Sequence, residues 1–382
     1  MKQNHVLLVY SGWLGDLVWI IPTIHALKTV FRSVSLVVSE VQAPLARIMQ
    51  NGLVDEVFVD VSSDRLASAK KVRRAARQMG IDTFVDLKGR GKTGLYMPWG
   101  GGGRIMIPHS KDAREYALAR LVHPFATCMS ERSNGHMVDA YLTGLHGMGI
   151  RDIPVSFEMP FDDETIAAAE TICKEEELTG DRCIAIHPGS AQFCKIWPAE
   201  SFRRLADVLM ADFGCKIVLM GGRDFAANQN YDVSASRQYF ADSKVINLVE
   251  KTSLAVDAYL LYSGACTLSI GNDSFANHMA GSASETDAST PRAIQADNGR
   301  WYKANRTVSL FAPTNPVFCR PYDPTGQFNT IVQPDTYPDN CVYDREAHVC
   351  PYYGARYDAN RCNCMANITV EKVVNAIEPF LG

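Results

Sequence analysis

Gly271-Asn272-Asp273-Ser274-Phe275-Ala276-Asn277-His278-Met279-Ala280-Gly281 is the stretch around which the rest of the chain is organised. The apolar run Cys266-Thr267-Leu268-Ser269-Ile270 ahead of it reads as a buried strand, and the pattern turns helical after Asp273, with Ser274 at the N-cap position. A strand that passes through Gly-Asn-Asp-Ser into a helix presents unpaired backbone N–H groups and a positive dipole end. An α/β protein holds an anion such as a diphosphate in this way. An ordinary strand-to-helix turn has the same residues, so the choice rests on the chain to either side.

Working outward, residues 5–10 form a continuous apolar strand of the kind buried on both faces of a parallel sheet. Ser11-Gly12-Trp13-Leu14-Gly15-Asp16 is a glycine-bearing loop, and 17–31 reads as one helix. Strands at 34–38, 54–61, 81–87 and 104–107 alternate with helices at 43–51, 65–79, 113–122 and 136–148. A Pro-bearing stretch, 151–163, reads as a linker, after which the alternation starts afresh. Helices are expected at 164–176, 199–213, 228–239, 256–262 and 369–380, and strands at 183–187, 216–220, 245–248, 266–270 and 307–311. This rhythm predicts two Rossmann-like, doubly wound parallel sheets with a cleft between their carboxyl ends. The expected domains are 1–155, 156–368 with a cysteine-rich tail, and a final helix at 369–382.

At 382 residues, 47% hydrophobic and 21% charged, the composition is that of a soluble globular chain of two domains. The first ten residues do not make a secretory signal, and no apolar run approaches a membrane span, so the expected location is cytoplasmic. The net charge of −4 is unevenly spread: 61–132 holds 14 Lys/Arg against 6 Asp/Glu, a balance of +8. Such a split points to an anionic partner for that half. Lys70, Lys71, Arg73, Arg74 and Arg77 read as a solvated helix face, whereas Lys88, Arg90 and Lys92 follow a strand in a glycine-punctuated loop. No Gly-x-Gly-x-x-Gly follows the first strand and no phosphate-binding P-loop occurs, which argues against a nicotinamide dehydrogenase and a P-loop nucleotidase. No nucleic-acid partner is expected.

Three blocks of the second half resemble the heptosyltransferases, the family 9 glycosyltransferases. They are His187-Pro188-Gly189-Ser190 with Lys195-Ile196-Trp197-Pro198, the Gly271-Asn272-Asp273 to His278 segment, and Leu310-Phe311-Ala312-Pro313-Thr314-Asn315-Pro316. In the first half Gly15-Asp16 and Val85-Asp86-Leu87 match further family elements, so the resemblance spans nearly the whole chain. It implies a GT-B fold and inverting transfer of a sugar from a nucleotide diphosphate donor, ADP-heptose in the family's usual case. The usual acceptor is the inner core of lipopolysaccharide, which carries with it peripheral association with the inner face of the membrane. The donor is expected on the second half and the acceptor on the first. No cofactor is required for such chemistry.

An inverting transfer needs a base for the acceptor hydroxyl. Asp16 is the candidate, with a carboxylate serving only the helix dipole as the alternative. The departing diphosphate needs a cation, for which Lys195 is the candidate. Candidate donor contacts are His187, Gly189, Ser190, Asp273, Ser274, Phe275, Ala276 and His278, with Gly222 and Arg223 where the nucleoside would rest. Lys88, Arg90 and Lys92 suit a phosphorylated or carboxylated saccharide or glycolipid acceptor.

The chain departs from the family pattern in places. Ser274-Phe275 stands where the family commonly has Thr-Gly, and 282–307 is a polar insertion carrying Arg292, Arg300 and Trp301, long for a structureless loop. Cys341, Cys350, Cys362 and Cys364 are candidate ligands of a structural zinc or iron, with free thiols or a disulfide as the alternatives. Cys350-Pro351 and Cys364-Met365 resemble an arrangement in the family and in iron-containing heptosyltransferases that act on autotransporter proteins. Competing functions are heptosylation of protein hydroxyls, nucleotide-sugar epimerisation on the same fold, and non-catalytic nucleotide-sugar binding.

Overall fold

The computed structural model describes residues 3–88, 93–96, 104–106, 127–129, 135–178, 182–222, 240, 244–337 and 364–381. The chain divides into two compact units, Met1–Asp162 and Asp163–Gly382. The helices expected at 113–122 and 228–239 lie outside the described residues.

The first unit is built on a six-stranded parallel sheet: β1 (Gln3–Val9), β2 (Phe31–Ser39), β3 (Glu56–Asp60), β4 (Thr83–Asp86), β5 (Arg104–Met106) and β6 (Thr127–Met129), in the order β3-β2-β1-β4-β5-β6. Val6, Leu7, Leu8 and Val9 have no exposed surface, as a central strand covered on both faces requires. Leu7, Val9, Val37 and Phe84 pack on Ala69, Val72 and Ala76 of helix α1 (Arg65–Gln78), whose opposite face carries the basic residues.

The stretch expected as one helix at 17–31 is two, Leu14–Val18 and Ile21–Val30, and Phe31 already belongs to β2. Pro22 explains the break. It has no N–H to give, and its ring would collide with the carbonyl four residues earlier, at Val18. A proline near the start of the second helix is tolerated because the N–H groups there have no intrahelical partner.

The second unit repeats the plan with β7 (Cys183–His187), β8 (Lys216–Leu219), β9 (Ile246–Asn247), β10 (Leu268–Asn272), β14 (Arg306–Leu310) and β15 (Asn329–Val332), all parallel, in the order β15-β14-β10-β7-β8-β9. Numbered within each unit, both sheets read 3-2-1-4-5-6 in one direction or the other. The order reverses between the first and fourth strands: β1 and β4 in one unit, β7 and β10 in the other. Ligands of open α/β sheets bind outside the carboxyl ends at such a switch point.

Helix α2 (Ala199–Phe213) buries Phe202, Leu205, Ala206 and Leu209 on this sheet and stops at Gly214, whose φ of 63° is left-handed. The last helix, α3 (Val370–Ile377), begins at Thr369, whose side chain accepts from Lys372 N, and it inserts Val373 and Ile377 into the same core. It is part of the second unit. The insertion at 282–307 is folded: β11 (Ser284–Thr286), β12 (Ile294–Gln295) and β13 (Trp301–Lys303) make a small antiparallel sheet with β13 in the middle. Among the described residues no helix is long and apolar enough to cross a membrane.

Candidate active site

In the first unit the chain leaves β1 through Ser11-Gly12-Trp13, and two side chains from β2 and the turn after it hold this loop in place. Gln42, fully buried, accepts from Gly12 N (3.1 Å) and donates to Trp13 O (3.0 Å), while Ser39 Oγ donates to Gly12 O (2.8 Å). The loop delivers Asp16 to the switch point, where the Lys88 ammonium, arriving after β4, donates to Asp16 Oδ2 at 2.9 Å. Trp13 N donates to the same oxygen (3.3 Å), and among the described residues Oδ1 takes no hydrogen bond. The pair is partly open, with side chains 20% and 15% exposed. Lys88 also sits over the Tyr10 ring, 4.7 Å from its centroid, so its position is braced from below. A Cβ on Gly12 would come within 2.7 Å of Asp16 Oδ2 and 2.8 Å of Lys88 Nζ, so only glycine leaves room for this pair.

In the second unit one buried asparagine joins two of the sequence blocks. Asn272 at the end of β10 donates to Pro188 O (2.7 Å) and accepts from Trp197 N (3.0 Å). Trp197, without exposed surface, donates its indole N–H to Ile368 O (2.8 Å) and packs edge-on against Phe202. The sequence places a turn after Ile270; in the structure the strand runs two residues further, which puts Gly271 beside His187. A Cβ at Gly271 would lie 2.8 Å from His187 O.

These constraints aim Lys195 at Asp273. The ammonium donates to Asp273 Oδ2 at 2.6 Å, Thr314 Oγ1 donates to the same oxygen at 2.8 Å, and His278 Nε2 lies 3.4 Å from Oδ1. Ser190 Oγ donates to Asp273 O (3.4 Å). The Asp273 side chain is 3% exposed and that of Lys195 12%. Burial alone would push the Asp273 carboxyl up; Lys195 and His278 outweigh it and hold the group well below the usual carboxylate range. Asp273 is therefore an ionised carboxylate that meets Lys195, Thr314 and His278 at once. The Lys195–Asp273 pair straddles its own switch point, between β7 and β10, as Asp16–Lys88 does in the first unit. The charges are exchanged, with lysine on the first loop here and aspartate there.

Around this anchor, Ser274 occupies the N-cap position of the helix Phe275–Gly281 without capping it, and its hydroxyl lies 3.4 Å from His187 Nδ1. Phe275 and Ala276 are buried, 5% and 0% exposed. Gly222 stands just past the carboxyl end of β8, and none of the described residues comes within 4 Å of where a Cβ would be. Arg223 lies outside the described residues, as do Arg90 and Lys92 beyond Lys88. Of the tail cysteines, Cys341, Cys350 and Cys362 also lie outside them, and Cys364 is buried at the start of a 3-10 turn, Cys364–Asn367. Among the described residues no three metal-ligating side chains come together.

Thr314 and Gln42 were not singled out from the sequence. Thr314 lies within the Leu310–Pro316 block, which was the available signal; Gln42 carried none.

His187 is buried, and burial lowers its pKa to about 4 against the weaker opposing effect of hydrogen bonds to the backbone of His187 and Gly189. An unfolded His187 takes up its proton near 6.5, so the stability this residue contributes is complete above that pH and is lost as pH falls toward 4, ~3 kcal/mol in all. Asp257, raised to about 6 chiefly by burial, acts with the opposite sign over 4–6 and masks part of the change. The comparison with His187→Asn isolates it: in urea unfolding, the stability gap between wild type and variant should shrink steadily from pH 7 to pH 5. A gap independent of pH would refute the buried neutral imidazole.

The sequence profile of glycosyltransferase family 9 (heptosyltransferase) matches residues 72–285, more than half of the chain. The chain belongs to glycosyltransferase family 9. No curated protein matches it. Among solved structures, the family 9 glycosyl transferase from Veillonella parvula DSM 2008 is similar to this one with a TM-score of 0.68 at 20% identity, over 100% of this chain and 97% of that one. ADP-heptose LPS heptosyltransferase II from E. coli gives 0.61 at 17% identity over 100% and 98%. The E. coli heptosyltransferase WaaC with ADP gives 0.63 at 17% over 98% and 99%. These likenesses show the fold. Family 9 membership makes the protein a glycosyltransferase, and its two charged pairs sit where that fold binds ligands.

Proposed function

We propose that this family 9 enzyme transfers a heptose from ADP-heptose to a saccharide hydroxyl, with inversion at the anomeric carbon. The observation that carries the reading is the Lys195–Asp273 pair at the switch point of the second unit, held by Thr314 and His278. In the step, the acceptor oxygen bonds to the anomeric carbon as the bond from that carbon to the diphosphate oxygen breaks and its electron pair leaves with ADP. Lys195 meets the charge that grows on the leaving diphosphate, where a preplaced cation counts most. The acceptor proton passes to Asp16 Oδ1, the carboxylate oxygen left open by Trp13 and Lys88. Lys88 keeps the base in one rotamer and suits an acceptor with phosphate or carboxylate groups, such as a lipopolysaccharide inner core. WaaC, of similar fold, was solved with ADP, which supports the choice of nucleobase.

The test is an assay of nucleoside diphosphate release from ADP-heptose and other nucleotide sugars, with and without inner-core acceptor, followed by NMR of the product's anomeric proton. Acceptor-dependent ADP release and an inverted anomer are expected. Retention of configuration, or turnover confined to a different nucleotide, would overturn the assignment.

A further inference from the structure

Two cysteines of the second unit lie sulfur to sulfur at the amino end of its sheet. Cys183 opens β7, and Cys266 stands two residues ahead of β10, the strand paired with it. Asp273 lies past the opposite, carboxyl end of β10. The two Sγ atoms are 3.3 Å apart, and both residues are buried, 3% and 8% exposed.

The backbone holds this pair together. Thr267, next to Cys266, donates both its N–H (2.9 Å) and its hydroxyl (3.1 Å) to Cys183 O. On the other side of β7, Lys216 of β8 is the register partner of Cys183. With both main chains fixed, reaching an S–S bond of about 2.05 Å takes a side-chain movement of about 1 Å. The two thiols are also unequal. The hydrogen bond from Cys266 lowers the Cys183 thiol from its ordinary value despite burial, and Lys216 adds to the effect. The same bond, with burial, pushes Cys266 well above its own. The thiolate, which is the reactive form, therefore gathers on Cys183.

We infer that Cys183 and Cys266 form an oxidation site that reacts with a small hydroperoxide and closes into a disulfide between β7 and β10. The site is separate from the sugar-transfer residues and independent of the catalytic reading above. Burial selects the oxidant. Oxidised glutathione would have to lodge here as a bulky mixed disulfide, whereas hydrogen peroxide needs little more room than water. In the first step the Cys183 sulfur bonds to one peroxide oxygen and the O–O bond breaks. The other oxygen leaves with the thiol proton as water, and Cys183 becomes a sulfenic acid. In the second, the Cys266 sulfur bonds to Cys183, and the hydroxyl leaves with the Cys266 proton as a second water. The two sulfurs lose two electrons in all, and the peroxide gains them.

The full-length protein is treated with hydrogen peroxide, unfolded in urea with iodoacetamide, digested without reductant and mapped by mass spectrometry. Mapping is needed because the chain has 11 cysteines. A peptide linked through Cys183 and Cys266 is expected, absent before oxidation and lost with dithiothreitol. The bond joins residues 83 apart in sequence and should raise the melting midpoint by about 5–10 °C. Cys266→Ala removes the second thiol and should leave Cys183 as a sulfenic acid that dimedone labels. In Cys183→Ala, Cys266 should stay unlabelled. The inference fails if no such peptide forms in wild type, or if Cys183 is joined instead to Cys173 or Cys215, whose thiols feel its charge. It fails equally if oxidised glutathione makes the bond as fast as hydrogen peroxide, or if dimedone labels Cys266 in place of Cys183.

Discussion

Asp16→Asn is expected to lower turnover by about 10²–10⁴-fold, the usual contribution of a positioned general base, while ADP binding stays within twofold of wild type, roughly the noise of such a measurement. The substitution is nearly isosteric. It keeps an acceptor oxygen for Trp13 N or Lys88, but the amide cannot take a proton. Its structural cost is moderate, about 1–3 kcal/mol, because the pair is mostly buried but the amide oxygen still accepts from Lys88. The alternative role, a carboxylate near a helix N-terminus, contributes about 0.3–1 kcal/mol to stability and nothing to the chemical step. The two roles separate cleanly when turnover, ADP affinity and melting temperature are measured on one preparation. Turnover within tenfold of wild type would remove Asp16 from the base position.

Lys195→Ala is expected to have two effects that a second substitution pulls apart. Removing the ammonium leaves Asp273 as a buried carboxylate short of its main partner, which destabilises the fold by about 3–5 kcal/mol. It also removes the cation facing the leaving diphosphate, worth about 10²–10³ in rate. Adding Asp273→Asn to Lys195→Ala removes the uncompensated charge while retaining groups for Thr314 and His278 to meet. The double variant should therefore recover most of the lost stability in urea unfolding and none of the lost transfer. Recovery of both would mean that Lys195 serves only to neutralise Asp273, and the catalytic assignment would fall.

Much of the architecture was legible because long, periodic elements carry their own boundaries. The strand Cys183–His187 and the helix Ala199–Phe213 coincide with their expected limits, the one an unbroken apolar run, the other closed by Gly214. The helix expected at 17–31 is two because Pro22 bars a helical hydrogen bond to Val18, a local break that the continuous apolar pattern conceals. The small sheet at 284–303 was not visible: strands of two or three residues are too short to display a period, and their pairing is decided by the turns between them. At the candidate site, Lys195, Asp273 and His278 could be named from their blocks, and the structure brings all three together. Thr314 acts through one hydrogen bond and Gln42 through two, all to atoms distant in sequence, and neither composition nor spacing reports such contacts.

The lysine proposed to hold the diphosphate is already paired with an aspartate, and Asp273 is itself held by Thr314 and His278. A phosphate oxygen must then share the ammonium with a resident competitor, which caps how tightly the spent nucleotide can be retained. An unaccompanied cation would grip product and transition state alike. On the proposed role of Lys195, the resident aspartate would blunt the grip on the product and favour its escape at the expense of equilibrium affinity.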